Sequence, residues 1–134
     1  MLSLISLDDR IDLVCSVDPD VAIDGAAPAG PEWVAPGAEG VTVGADATII
    51  TVRALSSTET ALLAPDGLGN GSMAMFIGAT RSAVVRVRGP ALDISKRAEL
   101  VKWLDRLPLQ LRAPLGGTIV TRSMLLDDPT EPAE

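Results

Sequence analysis

The chain reads as an α+β protein, strands first and helices after, and three observations predict it. β-Branched and apolar runs crowd into the first part of the chain: Leu2 to Leu7, Ile11 to Val17, Val41-Thr42-Val43 and Thr48 to Arg53. Helix-start chemistry begins abruptly at Ser56-Ser57-Thr58-Glu59, after which apolar residues recur every three or four positions. Between the early strands, residues 18–40 are rich in Pro, Gly and Ala, a composition that interrupts regular structure. A length of 134 residues suits one core with peripheral extensions. The expected layout is a single α+β domain over 1–126 with N-terminal hairpins in a small antiparallel sheet, a C-terminal helical half, an extended loop or arm over 18–40, and an acidic tail over 127–134.

Leu2 to Leu7 and Ile11 to Val17 flank Asp8-Asp9-Arg10, the pattern of a hairpin. Pro19, Pro28, Pro31 and Pro36 then lock their own φ angles and withhold backbone donors, which predicts the arm. Trp33 sits between two of these prolines, either as an exposed anchor or as a side chain folded back onto the core. Gly44-Ala45-Asp46 separates two β-branched runs, a second hairpin signal. At Ser56 and Glu59, the hydroxyl and the carboxylate can satisfy each other's orphan amides, so a short helix should run to Leu63 before Pro65-Asp66-Gly67 stops it.

Ser72 can cap a helix reaching about Arg88, although Val84, Val85 and Val87 make a strand the rival assignment for its second half. Asp93 or Ser95 should cap the next helix, Lys96 to Leu107, which buries Leu100, Trp103 or Leu104, and Leu107. Beyond Pro108, a four-residue spacing of Leu111, Leu115 and Ile119 carries a last segment through Met124 despite Pro114.

Composition narrows the chemistry. Histidine is absent and Cys15 is the sole cysteine, so an intramolecular disulfide and the usual Cys/His zinc site are both excluded. Cys15 lies in Leu13-Val14-Cys15-Ser16-Val17, where it reads as a small buried hydrophobe. Asp18, Asp20 and Asp24 alternate like the start of a calcium loop, but Ile23 and Ala29 stand where that loop needs glycine and a bidentate glutamate. Gly67-Leu68-Gly69-Asn70-Gly71 lacks the lysine of a phosphate loop and reads as a hinge. Without histidine the serines lack their usual base, so no catalytic residues, cofactor or metal are expected. No apolar run reaches the roughly 18 residues that span a bilayer, so no membrane contact is expected.

Charge is sorted along the chain. Residues 1–70 hold eleven acids against two bases; residues 71–126 hold nine bases against three acids; the last eight residues hold four acids and no base. Opposite poles can neutralise each other internally, pair head to tail with copies, or hold a polyanion at one end. Nucleic acid is not the expected partner, because the net charge is -7 and aromatic stacking residues amount to 2% of the chain. Docking between protein chains fits better. The residues expected to carry it are Trp33 on the arm, Arg81, Arg86, Arg88, Lys96, Arg97 and Lys102 on the helical half, and Asp127 and Asp128 on the tail.

The stretch from Thr48 to Glu59, and the later Leu104-Asp105-Arg106-Leu107-Pro108 followed by Leu115-Gly116-Gly117-Thr118-Ile119, resemble small tailed-bacteriophage proteins of the tail-assembly-chaperone and virion-accessory kind. In those proteins a strand ends in an Arg-x-Leu-Ser/Thr element before a helix that opens with Glu, and a Leu-Pro step precedes the last helix. The resemblance spans about residues 47 to 125. It departs at the longer 18–40 segment and at Pro114. It implies a non-enzymatic role in phage assembly, as part of the virion or in the host cytoplasm during assembly, with other phage structural proteins and copies of itself as partners. Two alternatives accompany it: a capsid decoration protein, and a small nucleic-acid-binding or regulatory module.

Overall fold

The computed structural model describes residues 9–24, 30–63 and 73–124. Among these residues, seven strands and four helices follow in order: β1 Arg10–Cys15, β2 Val21–Ile23, β3 Trp33–Val34, β4 Val41–Val43, β5 Ile49–Arg53, α1 Ser57–Leu63, α2 Met73–Ala83, β6 Val84–Gly89, β7 Leu92–Ile94, α3 Arg97–Arg106 and α4 Leu109–Met124. The α+β class and its order, strands mostly early and helices mostly late, are as the sequence predicts.

The main sheet is antiparallel, in the order β3-β1-β5-β6-β7, and β2 pairs with β4 in a separate two-stranded sheet. Period-2 alternation divides its faces. The row Leu13, Ile50, Val87 and Ile94 points inward. It meets Met75, Ala79 and Ala83 of α2, Leu100 and Leu104 of α3, and Leu115 and Ile119 of α4. On the outer face near β3, buried Val14 joins Val34 and Ile49 against Val21, Ile23, Val41 and Val43 of the small sheet. The rest of that outer face is polar: Asp12, Thr51, Arg86, Arg88 and Asp93.

Several expectations are corrected. The 18–40 segment, where described, is not an extended arm. Asp24 N–H donates to the Gly40 carbonyl (2.8 Å) and Gly44 N–H to the Asp20 carbonyl (2.7 Å), closing β2 onto β4. Gly40 takes φ +81° beside this contact, a conformation glycine adopts without a Cβ penalty. Ser16 continues the β1–β3 pairing, donating N–H to the Glu32 carbonyl (2.8 Å) while its hydroxyl accepts from Glu32 N–H (2.9 Å). Burial of the valines of β2 and β4 outweighs the interruption by proline. The runs at 41–43 and 48–53 form no hairpin, because β4 turns to β2 and β5 lies between β1 and β6.

The helix expected to continue to Arg88 ends at Ala83, and the rival strand assignment holds for 84–89. Val84, Val85 and Val87 suit a pleated strand, and a register shift at Thr51/Val52 leaves Val85 as the extra residue of a bulge. Neither Asp93 nor Ser95 caps α3: Lys96 occupies the N-cap without a side-chain hydrogen bond, and Asp93 belongs to β7. The last helix runs through Pro114. The strand expected over Leu2 to Leu7, the glycine-rich stretch 67–71 and the acidic tail lie outside the described residues.

The capping box forms as expected. Glu59 N–H donates to Ser56 Oγ (3.1 Å) and Ser56 N–H to Glu59 Oε1 (3.0 Å). Arg53, at the end of β5, adds a two-pronged pair to the same carboxylate at 2.9 and 2.6 Å, tying strand to helix. Hydrogen bonding from Arg53, with smaller help from the Ser56 amide, lowers Glu59 from its ordinary 4.5 to about 2. A carboxylate that binds its proton less readily when folded stabilises above its ordinary value, and that contribution fades as pH falls toward about 2. Denaturant unfolding across that window should therefore show an acid-side loss of stability in the parent chain that is reduced in Glu59→Gln.

Candidate interaction surface

Of the residues predicted to make contacts, Trp33 is placed differently. It is 7% exposed and belongs to the main core. β3 carries it inward opposite Cys15, and its indole Nε1–H donates to the Leu111 carbonyl of α4 (2.9 Å). The exposed-anchor reading of Trp33 is thereby corrected, and its folding back holds: a large apolar ring with one donor is most stable buried with that donor satisfied.

Three of the predicted cations are engaged within the molecule. Arg86 and Arg88 lie on β6 and not on a helix. Arg86 grips Asp93 through Nε and Nη2 (2.8 and 2.6 Å), which holds the Asp93 carboxyl below its usual range. Arg88 Nη2 donates to Asp12 Oδ2 (2.9 Å), while Thr51 Oγ1 donates to Asp12 Oδ1 (2.6 Å), forming a polar row across β1, β5 and β6. Arg97 Nη1 donates to the carbonyls of Arg81 (2.6 Å) and Val84 (3.0 Å), supplying a cation where α2 runs out of its own donors.

Arg81, Lys96 and Lys102 are exposed and, with Arg106, take part in no ion pair among the described residues. Asp127 and Asp128 fall outside the described residues. Acids of the first half divide similarly. Asp18 accepts from the amides of Asp20 and Thr48 (2.9 Å each) and Asp20 from that of Asp46 (2.7 Å), so both carboxylates stitch loops. Asp24, Glu32, Glu39 and Asp46 face solvent around the ends of β2, β3 and β4. Among the described residues, Asp12–Arg88 is the one ion pair joining the acidic and basic blocks.

Two grooves meet at Trp103 of α3. One, about 280 Å³, lies between the end of β1, β3 and the start of α4; Val17, Pro19, Trp33, Trp103, Leu107 and Leu111 supply much of its wall. Cys15 and Asp18 also reach it, and burial pushes the Cys15 thiol up, keeping it protonated and unreactive. The other, about 270 Å³, is bordered by Ile94, Glu99, Lys102, Trp103 and Arg106. The two share Trp103: the first is mostly apolar, with 55%-exposed Val17 in its wall, and the second carries two cations and one acid. Such a surface can hold a segment that is apolar at one end and acidic at the other.

Sequence reasoning missed Trp103, Leu107, Leu111 and Arg106 as surface residues. The available signal was helical spacing: with Leu100 and Leu104 facing the core, Trp103 and Leu107 fall at the edge of the apolar stripe and Lys102 and Arg106 beside them. Their partnership with β1 and β3 has no local signal. Among the described residues, no helix is long and apolar enough to cross a membrane. No family model, curated protein or solved structure matches the chain.

Proposed function

We propose that the chain is a non-enzymatic structural or assembly protein of a tailed bacteriophage, acting by docking to copies of itself or to neighbouring virion proteins. The observation that carries this reading is the unspent charge separation. Arg81, Lys96, Lys102 and Arg106 face solvent on the helical side, while Asp24, Glu32, Glu39 and Asp46 face it around the small sheet. Opposite charges on different sides of one molecule favour a head-to-tail approach between copies, which forms a ring or a filament according to the rotation. The phage assignment is supported by the resemblance over 47–125, whose strand-to-helix step corresponds to β5 and α1 and whose Leu-Pro step corresponds to the junction of α3 and α4.

Sedimentation of the full chain should reveal self-association that weakens as added salt shortens the screening length from about 10 to about 3 Å. Mass spectrometry of purified particles should find it in many copies. A monomer at high concentration that ignores ionic strength and is missing from particles would overturn the reading. Tight, salt-sensitive binding to DNA would favour a regulatory module instead.

A further inference from the structure

We propose that the Trp103 cleft is the docking site for the segment Leu125-Leu126-Asp127-Asp128 of a second copy of this chain, so that each molecule holds the C-terminus of the next. The inference rests on the self-docking reading above and names the contact that makes it.

Complementarity is the first support. The cleft is apolar between Trp33, Trp103, Leu107 and Leu111, then passes over Trp103 to Lys102 and Arg106, with Glu99 the single acid there. The segment after Met124 has two leucines followed directly by two aspartates. Leucines seated beside the tryptophans bring the aspartates toward the two cations, in the order the surface presents them. The Asp18 carboxylate at the apolar end already accepts from two backbone amides, which offsets part of its repulsion toward an incoming acid.

Reach is the second. Leu111, on the cleft wall, and Met124, where α4 ends, are thirteen residues apart on one helix, roughly 20 Å at about 1.5 Å per residue. Leu125 and Leu126 extend the chain by at most about 7 Å, and four residues by at most about 14 Å. The leucines therefore cannot return to the cleft of their own molecule, and the contact is between copies. The cleft lies by the first turn of α4 and Met124 at its other end, which makes the contact heterologous and able to propagate.

The test is sedimentation velocity on the full-length chain and on two charge-reversed variants, Lys102→Glu with Arg106→Glu, and Asp127→Lys with Asp128→Lys. Each pair of changes should weaken association at least about tenfold, and the four together should restore most of it, because the exchanged charges face each other again. Leu125→Ser with Leu126→Ser should weaken it similarly while circular dichroism stays that of the parent. Association unchanged by the tail substitutions, or no recovery in the fourfold variant, overturns the tail contact and leaves self-docking through another surface. A full-length chain that is monomeric at every concentration and salt overturns both.

Discussion

Replacing Gly116 with valine should cost this protein its native fold, whereas Gly117→Ala, one residue along the same helix, should leave it intact or slightly more stable. Gly116 lies where α4 crosses α2, and a Cβ there would fall onto the Phe76 carbonyl oxygen, with the Phe76 carbonyl carbon and Cα at 2.6 and 2.7 Å. These are backbone atoms of another helix and cannot rotate aside. Relief requires α2 and α4 to separate, and Met75, Ala79, Leu115 and Ile119 form the core between them. Overpacking of a core usually costs about 1–3 kcal/mol, and contact with helix backbone belongs at or beyond the upper end of that range.

At Gly117 the nearest atom to an added methyl is Phe76 Cε1 at 4.0 Å, an ordinary contact. Alanine there gains up to about 1 kcal/mol of helix propensity over glycine. Even Gly116→Ala should lose about 2 kcal/mol or more in spite of the same propensity gain. Urea unfolding of the two alanine variants tests this directly: the midpoints should move in opposite directions, and equal behaviour would refute the close crossing.

The second large effect is expected at Arg112, a residue whose importance the sequence hides. It is 5% exposed in the middle of the helical layer. Nε donates to Thr80 Oγ1 (2.9 Å), and Nη1 donates to the Leu104 carbonyl (3.2 Å) and to Asp105 Oδ1 (2.9 Å), so one guanidinium joins α2, α3 and α4. Arg112→Met keeps much of the volume and removes every donor. It should cost about 3 kcal/mol, because partners built around a buried fork lose it together.

Asp105→Asn should cost less than about 1 kcal/mol, since the Asp105 side chain is 54% exposed and water can replace what it loses. Arg112→Lys should fall in between, as an ammonium cannot reproduce the spread of a planar fork. Denaturant midpoints at an unchanged slope would rank the three variants, and equal losses for Asp105→Asn and Arg112→Met would show the ion pair, not the buried fork, to be the stabilising element.

Arg112 also illustrates why part of the molecule was unreadable from its residues. It sits among apolar residues in a helix whose spacing is otherwise plain, and nothing nearby in sequence says that Thr80, thirty-two residues earlier, will present a hydroxyl to it. Arg86, Arg88 and Arg97 pose the same difficulty. Their clustering suggests a basic face, yet Asp93, Asp12 and two backbone carbonyls of the α2–β6 junction engage them. A cation is free or occupied according to what folding brings beside it. Lys102 and Arg106 remain available around a groove that Trp103 and Ile94 of β7 help to wall.

The amino-acid order alone determined what short-range chemistry governs: strands before helices, the Ser56–Glu59 box that opens α1, α3 to within a residue or so at each end, and burial of Leu100, while the choice of Leu104 over Trp103 fell to packing. Each depends on atoms within about one turn or one strand step. Only the tertiary structure decided that β4 joins β2 rather than β5, that Trp33 enters the core, and which arginines meet carboxylates. Those outcomes are competitions for burial and for charge between residues distant in the chain, and the winner depends on the packing of the whole molecule.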